Sequence, residues 1–182
     1  MDAFNEKILK LDPKATFETG PDGITTVTVD DARWHDVAMT LRDDSDMAYD
    51  FLVTIVGMDW KEAFGCIYYL TSTRSNKTIA VKVLAPSREN PMIHSVSDLW
   101  AIAGIFEREV YDFFGIIFIN NPDMRRLFLS IDWKGFPLRK DYDAAPEINP
   151  VSIENERQTD FTQSWVELPD GTVEKQEPRI FE

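Results

Sequence analysis

The spacing of apolar positions changes along the chain, and each change marks an element. Phe4, Ile8 and Leu11 fall on one helical face and Pro13 closes the segment, which predicts a first helix. A short strand over 16–18 leads into Gly-Pro-Asp-Gly at 20–23, the composition of a turn. The β-branched run at 24–29 then reads as its paired strand. Asp30 and Asp31 are placed to cap a second helix with a buried stripe of Trp34, Val37, Ala38 and Leu41. Three strand-like runs follow, at 51–56, 66–73 and 78–84, with residues 74–77 as a hairpin-length connection. In the last of them Ile79, Val81 and Val83 share a face and Lys82 points away. The first is apolar on both faces and is expected to be a more central strand. Ser95 and Asp98 have the spacing of a capping box ahead of a third helix. Its stripe is Leu99, Ile102, Ala103, Phe106, Val110 and Phe113, and Gly115 is its natural stop.

The order helix, two strands, helix, three strands, helix defines an α+β domain with a mixed, mostly antiparallel sheet and helices on one face. That domain is assigned to residues 1–118. Beyond Phe118 the period fails: Pro122, Pro137, Pro146, Pro150, Pro169 and Pro178 interrupt a chain that still carries Phe128, Ile131, Trp133, Phe136, Phe161, Trp165 and Phe181. A disordered tail would be poorer in aromatics. Residues 119–182 are therefore expected to form an extended C-terminal docking arm, seated either on its own domain or on another protein. The segment 107–142 spans the junction. Charge shifts there too: residues 123–140 hold five basic and two acidic side chains, and residues 141–182 hold eleven acidic and three basic.

Composition removes several classes of function. A net charge of −13 makes free nucleic acid a poor partner. One cysteine, Cys66, permits neither an internal disulfide nor a four-thiolate iron–sulfur site, and its place in an apolar run reads as a small buried hydrophobe. His35 and His94 lack zinc-type spacing. With no membrane-spanning apolar run and no secretion signal at the N-terminus, the expected setting is cytosolic, with membrane contact through partners.

Candidate chemistry gathers near the junction. Glu107, Arg108, Glu109 and Asp112 have the residue types of an acid/base cluster, yet no nucleophile or metal ligand accompanies them. They are read as a structural ion-pair cluster at a partly exposed helix end that ties the last helix to the root of the arm. The doublets Arg125-Arg126 and Arg139-Lys140 offer forks to oxyanions, but no glycine-rich phosphate loop accompanies them. Pairing with carboxylates is preferred, and solvated surface charge remains the bland alternative. The aliphatic and aromatic passage between the doublets is expected to be buried. Trp60, Trp133 and Trp165 are assigned to packing rather than to stacking on a quinone or flavin. Arg125, Arg126, Trp133, Phe136, Arg139, Lys140 and Tyr142 are the expected protein-interface residues.

Taken together, Trp100, Glu107-Arg108-Glu109, Asp112, Gly115-Ile116, Phe118, the run from Pro122 to Arg126 and the run from Gly135 to Tyr142 resemble the signature of the 30 kDa subunit family of respiratory complex I. In bacteria this is the C subunit of the NADH–quinone oxidoreductase. The resemblance covers residues 51–142 well. It departs from the family at Asn120-Asn121, where Gly-His is usual, at Phe136, where His is usual, and at Met124, where Leu is commoner. It implies a non-catalytic structural and assembly subunit of the peripheral arm, on the cytoplasmic face of the inner membrane, docked on the 49 kDa-type (D) subunit. It also implies that FMN, iron–sulfur clusters and quinone sit in partner subunits and none in this chain. The rival readings are the equivalent subunit of a related membrane-bound hydrogenase or ferredoxin-accepting complex, an enzyme using the Glu107–Asp112 carboxylates, and a homo-oligomer that exchanges its tail.

Overall fold

The computed structural model describes residues 3–143, 164–168 and 171–176. Trp165, named above, has its backbone within that range, whereas Phe161 and Phe181 lie outside it. Helix α1 (Ala3–Leu11) buries Ile8, and strands β1 (Thr16–Thr19) and β2 (Thr25–Asp30) flank the Gly20–Gly23 turn. Helix α2 (Asp31–Asp43) begins where the carboxylate of Asp30 accepts the Ala32 N–H, and it buries Trp34, Val37, Ala38 and Leu41. Strands β3 (Phe51–Asp59), β4 (Phe64–Ser72) and β5 (Lys77–Leu84) complete a five-stranded sheet in the order β1-β2-β5-β4-β3. The pairings are antiparallel except for β2 with β5, so the fold is α+β with a mixed, mostly antiparallel sheet.

Alternation sorts the sheet into two faces. Val27, Val29, Val81, Val83, Leu70, Tyr68, Cys66, Leu52 and Ile55 point into the helix-covered core, where the Trp34 and Tyr68 rings meet at 4.5 Å between centroids. Thr26, Thr28, Ile67, Tyr69 and Lys82 occupy the other face and are half-buried. Burial of each large core side chain contributes about 1.5–3 kcal/mol, and Cys66 is one of the buried residues rather than an accessible thiol.

Three sequence expectations are corrected. Strand β3 is an edge strand, not a central one: Phe51, Val53 and Val56 are exposed, and the register shifts between Leu52 and Thr54 in a bulge that blunts the edge. Apolar content on both faces came from an edge strand that leaves one of its faces open. Ser95 does not cap a helix. Residues 97–99 and 101–102 are turns, α3 spans Ala103–Phe114, and its N-cap Ile102 has no side-chain cap bond. The stripe differs accordingly: Ile102 is exposed, and the buried face carries Glu107 and Asp112 beside Ala103 and Val110. Gly115 does stop α3 in the left-handed region at φ 68°.

Four short strands had no periodic signal. Strands β6 (Met92–His94) and β7 (Ile117–Ile119) form a parallel pair, and β8 (Ser164–Glu167) and β9 (Val173–Gln176) form an antiparallel hairpin. β8 lies against β7, which brings this part of the C-terminal region back to the domain.

Candidate docking surface

From Asn121 to Tyr142 the chain lacks a strand ladder, so its backbone polar groups need other partners. Buried carboxylates supply them. Asp112 is fully buried on α3, and its Oδ2 accepts the backbone N–H groups of Leu127, Phe128 and Leu129 at 3.1, 2.7 and 2.9 Å. Its Oδ1 takes Arg126 Nη1 at 2.9 Å. Burial pushes this carboxyl up, but the three amides and the guanidinium together outweigh it and hold the carboxyl below its ordinary range.

Glu107, earlier on the same helix, is equally buried and forms no ion pair among the described residues. Ser95 Oγ donates to it at 2.7 Å, the Val96 N–H at 2.9 Å and Asn121 Nδ2 at 2.6 Å. Burial dominates these three bonds and pushes the carboxyl up to about 7. At the far end Asp59, buried on β3, holds Arg88 through both oxygens at 2.7 and 3.3 Å and also accepts the Lys140 N–H at 2.9 Å. The Arg88 guanidinium, against the pull of burial, holds Asp59 well below the usual carboxylate range.

Within the junction cluster Glu107 and Asp112 are buried, Arg108 and Glu109 are half-buried, and the ion pairs run to the segment 121–142 rather than along the helix. Arg108 bonds not to Asp112 but to the Arg125 and Arg126 carbonyls and to Asp123, and Glu109 takes no part in these pairings. Among the expected interface residues, Arg126 donates to the carbonyls of Asp112, Trp133 and Gly135 at 3.1, 3.1 and 2.9 Å. Arg139 donates to the Phe114 carbonyl at 2.6 Å and stands over the Phe64 and Phe136 rings. Phe136 packs edge-on against Tyr111, and the hydroxyl of Tyr142 donates to the Lys134 carbonyl. Trp133 is half-buried, and its indole N–H is enclosed without an acceptor among the described residues. Arg125 is exposed and pairs with Asp123 at 2.8 Å, while the Lys140 side chain is exposed. Trp60 lies under the Lys82 ammonium, 4.4 Å from its ring centre.

With the backbone fixed from within, the segment turns apolar groups outward. Phe128 is 65% exposed and stacks on Phe113, and Ile131 and Leu138 are each 53% exposed. The expectation that this passage is buried is therefore corrected. Sequence reasoning also missed the parts played by Ser95, Asp59 and Arg88. Their partners are remote in sequence, so no local spacing could mark them. Among the described residues no cluster of His, Cys, Asp or Glu could hold a metal ion, and no helix is long and apolar enough to cross a membrane.

Fold and surface define an α+β domain with a strapped C-terminal segment that offers hydrophobic side chains to solvent. Residues 27–147 match the family described as the 30 Kd subunit of respiratory-chain NADH dehydrogenase, and the chain belongs to that family. It is 44% identical over 161 residues to the C/D subunit of NADH-quinone oxidoreductase from Bacteroides thetaiotaomicron, a match that covers 82% of this chain but 30% of that relative. Against the C subunit of the same enzyme from Polynucleobacter asymbioticus it is 32% identical over 169 residues, covering 87% of this chain and 81% of the other. A chain in the structure of the membrane-bound sulfane sulfur reductase, an archaeal respiratory membrane complex, matches with a TM-score of 0.57 and 25% identity. That match covers 76% of this chain and 83% of the other.

Proposed function

We propose that the chain is a structural subunit, with no catalytic site of its own, of the peripheral arm of a proton-translocating NADH–quinone oxidoreductase, docked on the 49 kDa-type subunit. The observation that carries this reading is the fusion seen in relatives: the matched stretch makes up about a third of proteins named for C and D together, so there the two parts are one molecule. The surface supports it. Phe128, Ile131 and Leu138 on a strapped backbone are the kind of anchors that fill a partner's pocket at low ordering cost. Exposed Arg125 and Lys140 supply rim charge, whereas Arg126 and Arg139 act by holding the strap in shape. FMN, iron–sulfur clusters and quinone belong to partner subunits in this reading, and the assembly sits on the cytoplasmic face of the inner membrane.

Co-purification tests it. Full-length chain carrying Phe128→Asp, Ile131→Asp and Leu138→Asp together should retain its wild-type thermal unfolding and recover at least about tenfold less of the 49 kDa-type partner. Undiminished recovery, or redox turnover by the purified chain alone, overturns the proposal. The archaeal sulfane sulfur reductase match favours a second reading, the equivalent subunit of a related respiratory complex. NADH oxidation by the co-purified assembly separates the two.

A further inference from the structure

His94 stands at the end of β6 between two carboxylates from distant parts of the chain. Its Nδ1 is 2.9 Å from Asp31 Oδ2, in the first turn of α2, and its Nε2 is 2.8 Å from Glu167 Oε2 on β8. Its backbone N–H also donates to Asp31 Oδ1 at 2.8 Å, so buried Asp31 grips both the main chain and the ring. An ionised carboxylate can only accept, so each ring nitrogen facing one must carry a proton, and the arrangement calls for the imidazolium. Among the described residues the charged groups facing the ring are Asp31 and Glu167. β7, paired alongside, places uncharged Ile119 opposite His94.

We infer that His94 is a latch, a positioning residue that fastens the β8–β9 hairpin to the domain. A two-stranded hairpin alone is marginal in water, so this one depends on what it leans against. Here that is β7 and the charge pair. The chain is also pinned at 140–141, where Asp59 accepts the Lys140 N–H and Arg88 bonds Asp141 at 3.0 Å. It is therefore fastened to the domain on both sides of residues 144–163. Where the docking proposal holds, this double tether lowers the entropy lost on engaging a partner. The latch itself does not depend on that proposal.

The bond to Asp31 and, against the pull of burial, the bond to Glu167 push the imidazole up to about 9. Because its folded value lies above the ordinary 6.5, the latch's contribution is complete below 6.5 and is lost as pH rises through about 9.

Amide hydrogen exchange on the full-length chain near neutral pH tests the latch. In Glu167→Gln and in His94→Gln the amides of β8 and β9 should exchange about tenfold faster, while those of β4 and β5 keep their wild-type rates. Glu167→Gln leaves the Asp31–His94 contact whole, so the test survives if His94→Gln fails to fold. Unchanged hairpin protection in Glu167→Gln overturns the latch. So does a wild-type imidazole ¹⁵N spectrum showing a neutral ring near neutral pH.

Discussion

The five-stranded sheet and the strap from Asn121 to Tyr142 keep their backbones in place by opposite means. In the sheet, main chain bonds main chain, and apolar side chains are free to pack the interior. In the strap, main chain bonds side chain: the Asp112 carboxylate, the guanidinium groups of Arg108, Arg126 and Arg139, and Asp59 take the place of a neighbouring strand. The difference shows that a charged residue has two structural uses with the same appearance in sequence. Arg125 and Arg126 are adjacent, yet one is an exposed surface cation and the other an internal clasp.

Removing one side chain from each region should separate them most sharply. Asp112→Ala orphans three amides and a guanidinium, and should cost the strap about 3–5 kcal/mol. Hydrogen exchange should show the loss confined to residues 121–142. Leu70→Ala opens a cavity under the sheet, which should cost about 3 kcal/mol and raise exchange throughout the domain. Equal spread of the two effects would erase the distinction.

A smaller effect tests the root of the strap. Glu107 has a folded value of about 7, above its ordinary 4.5, so its contribution is complete below 4.5 and lost as pH rises through 7. Between about pH 6 and about pH 8, wild type should lose on the order of 1 kcal/mol relative to Glu107→Gln. The comparison with Glu107→Gln is needed because His94 shifts stability in the same direction over this range. Chemical unfolding of both proteins at each pH measures it, and parallel curves would mean that burial does not control the carboxyl. The smallest effect belongs to Arg125→Ala, expected to stay within about 0.5 kcal/mol because its ion pair is exposed. A larger loss on thermal unfolding would make Arg125 a clasp like its neighbour.

What could be read in the sequence follows the same division. The stripe of α2, the alternation of β5 and the Gly115 stop are local patterns set by helical or strand geometry, and each was legible. Family membership was legible too, because spaced motif residues survive together. The edge position of β3 was not: strand order depends on which strands meet, not on any strand's own pattern. Nor was the burial of Glu107 and Asp112. Their charge argued for solvent, and the partners that make burial tolerable come from residues 95–96, 121 and 126–129. Three-residue strands such as β6 and β7 are too short to show a period at all.

The parallel pairing of β2 with β5 has a consequence for how the protein is made. Val27 meets Val81, so β2 emerges from the ribosome long before its inner neighbour has been synthesised. At ordinary elongation rates that wait is roughly 3–10 s. During it, Val27 and Val29 have no inner strand beside them, a period in which a nascent chain is suited to chaperone capture. Contacts of such long sequence separation also slow refolding from denaturant, since the closure entropy precedes the reward.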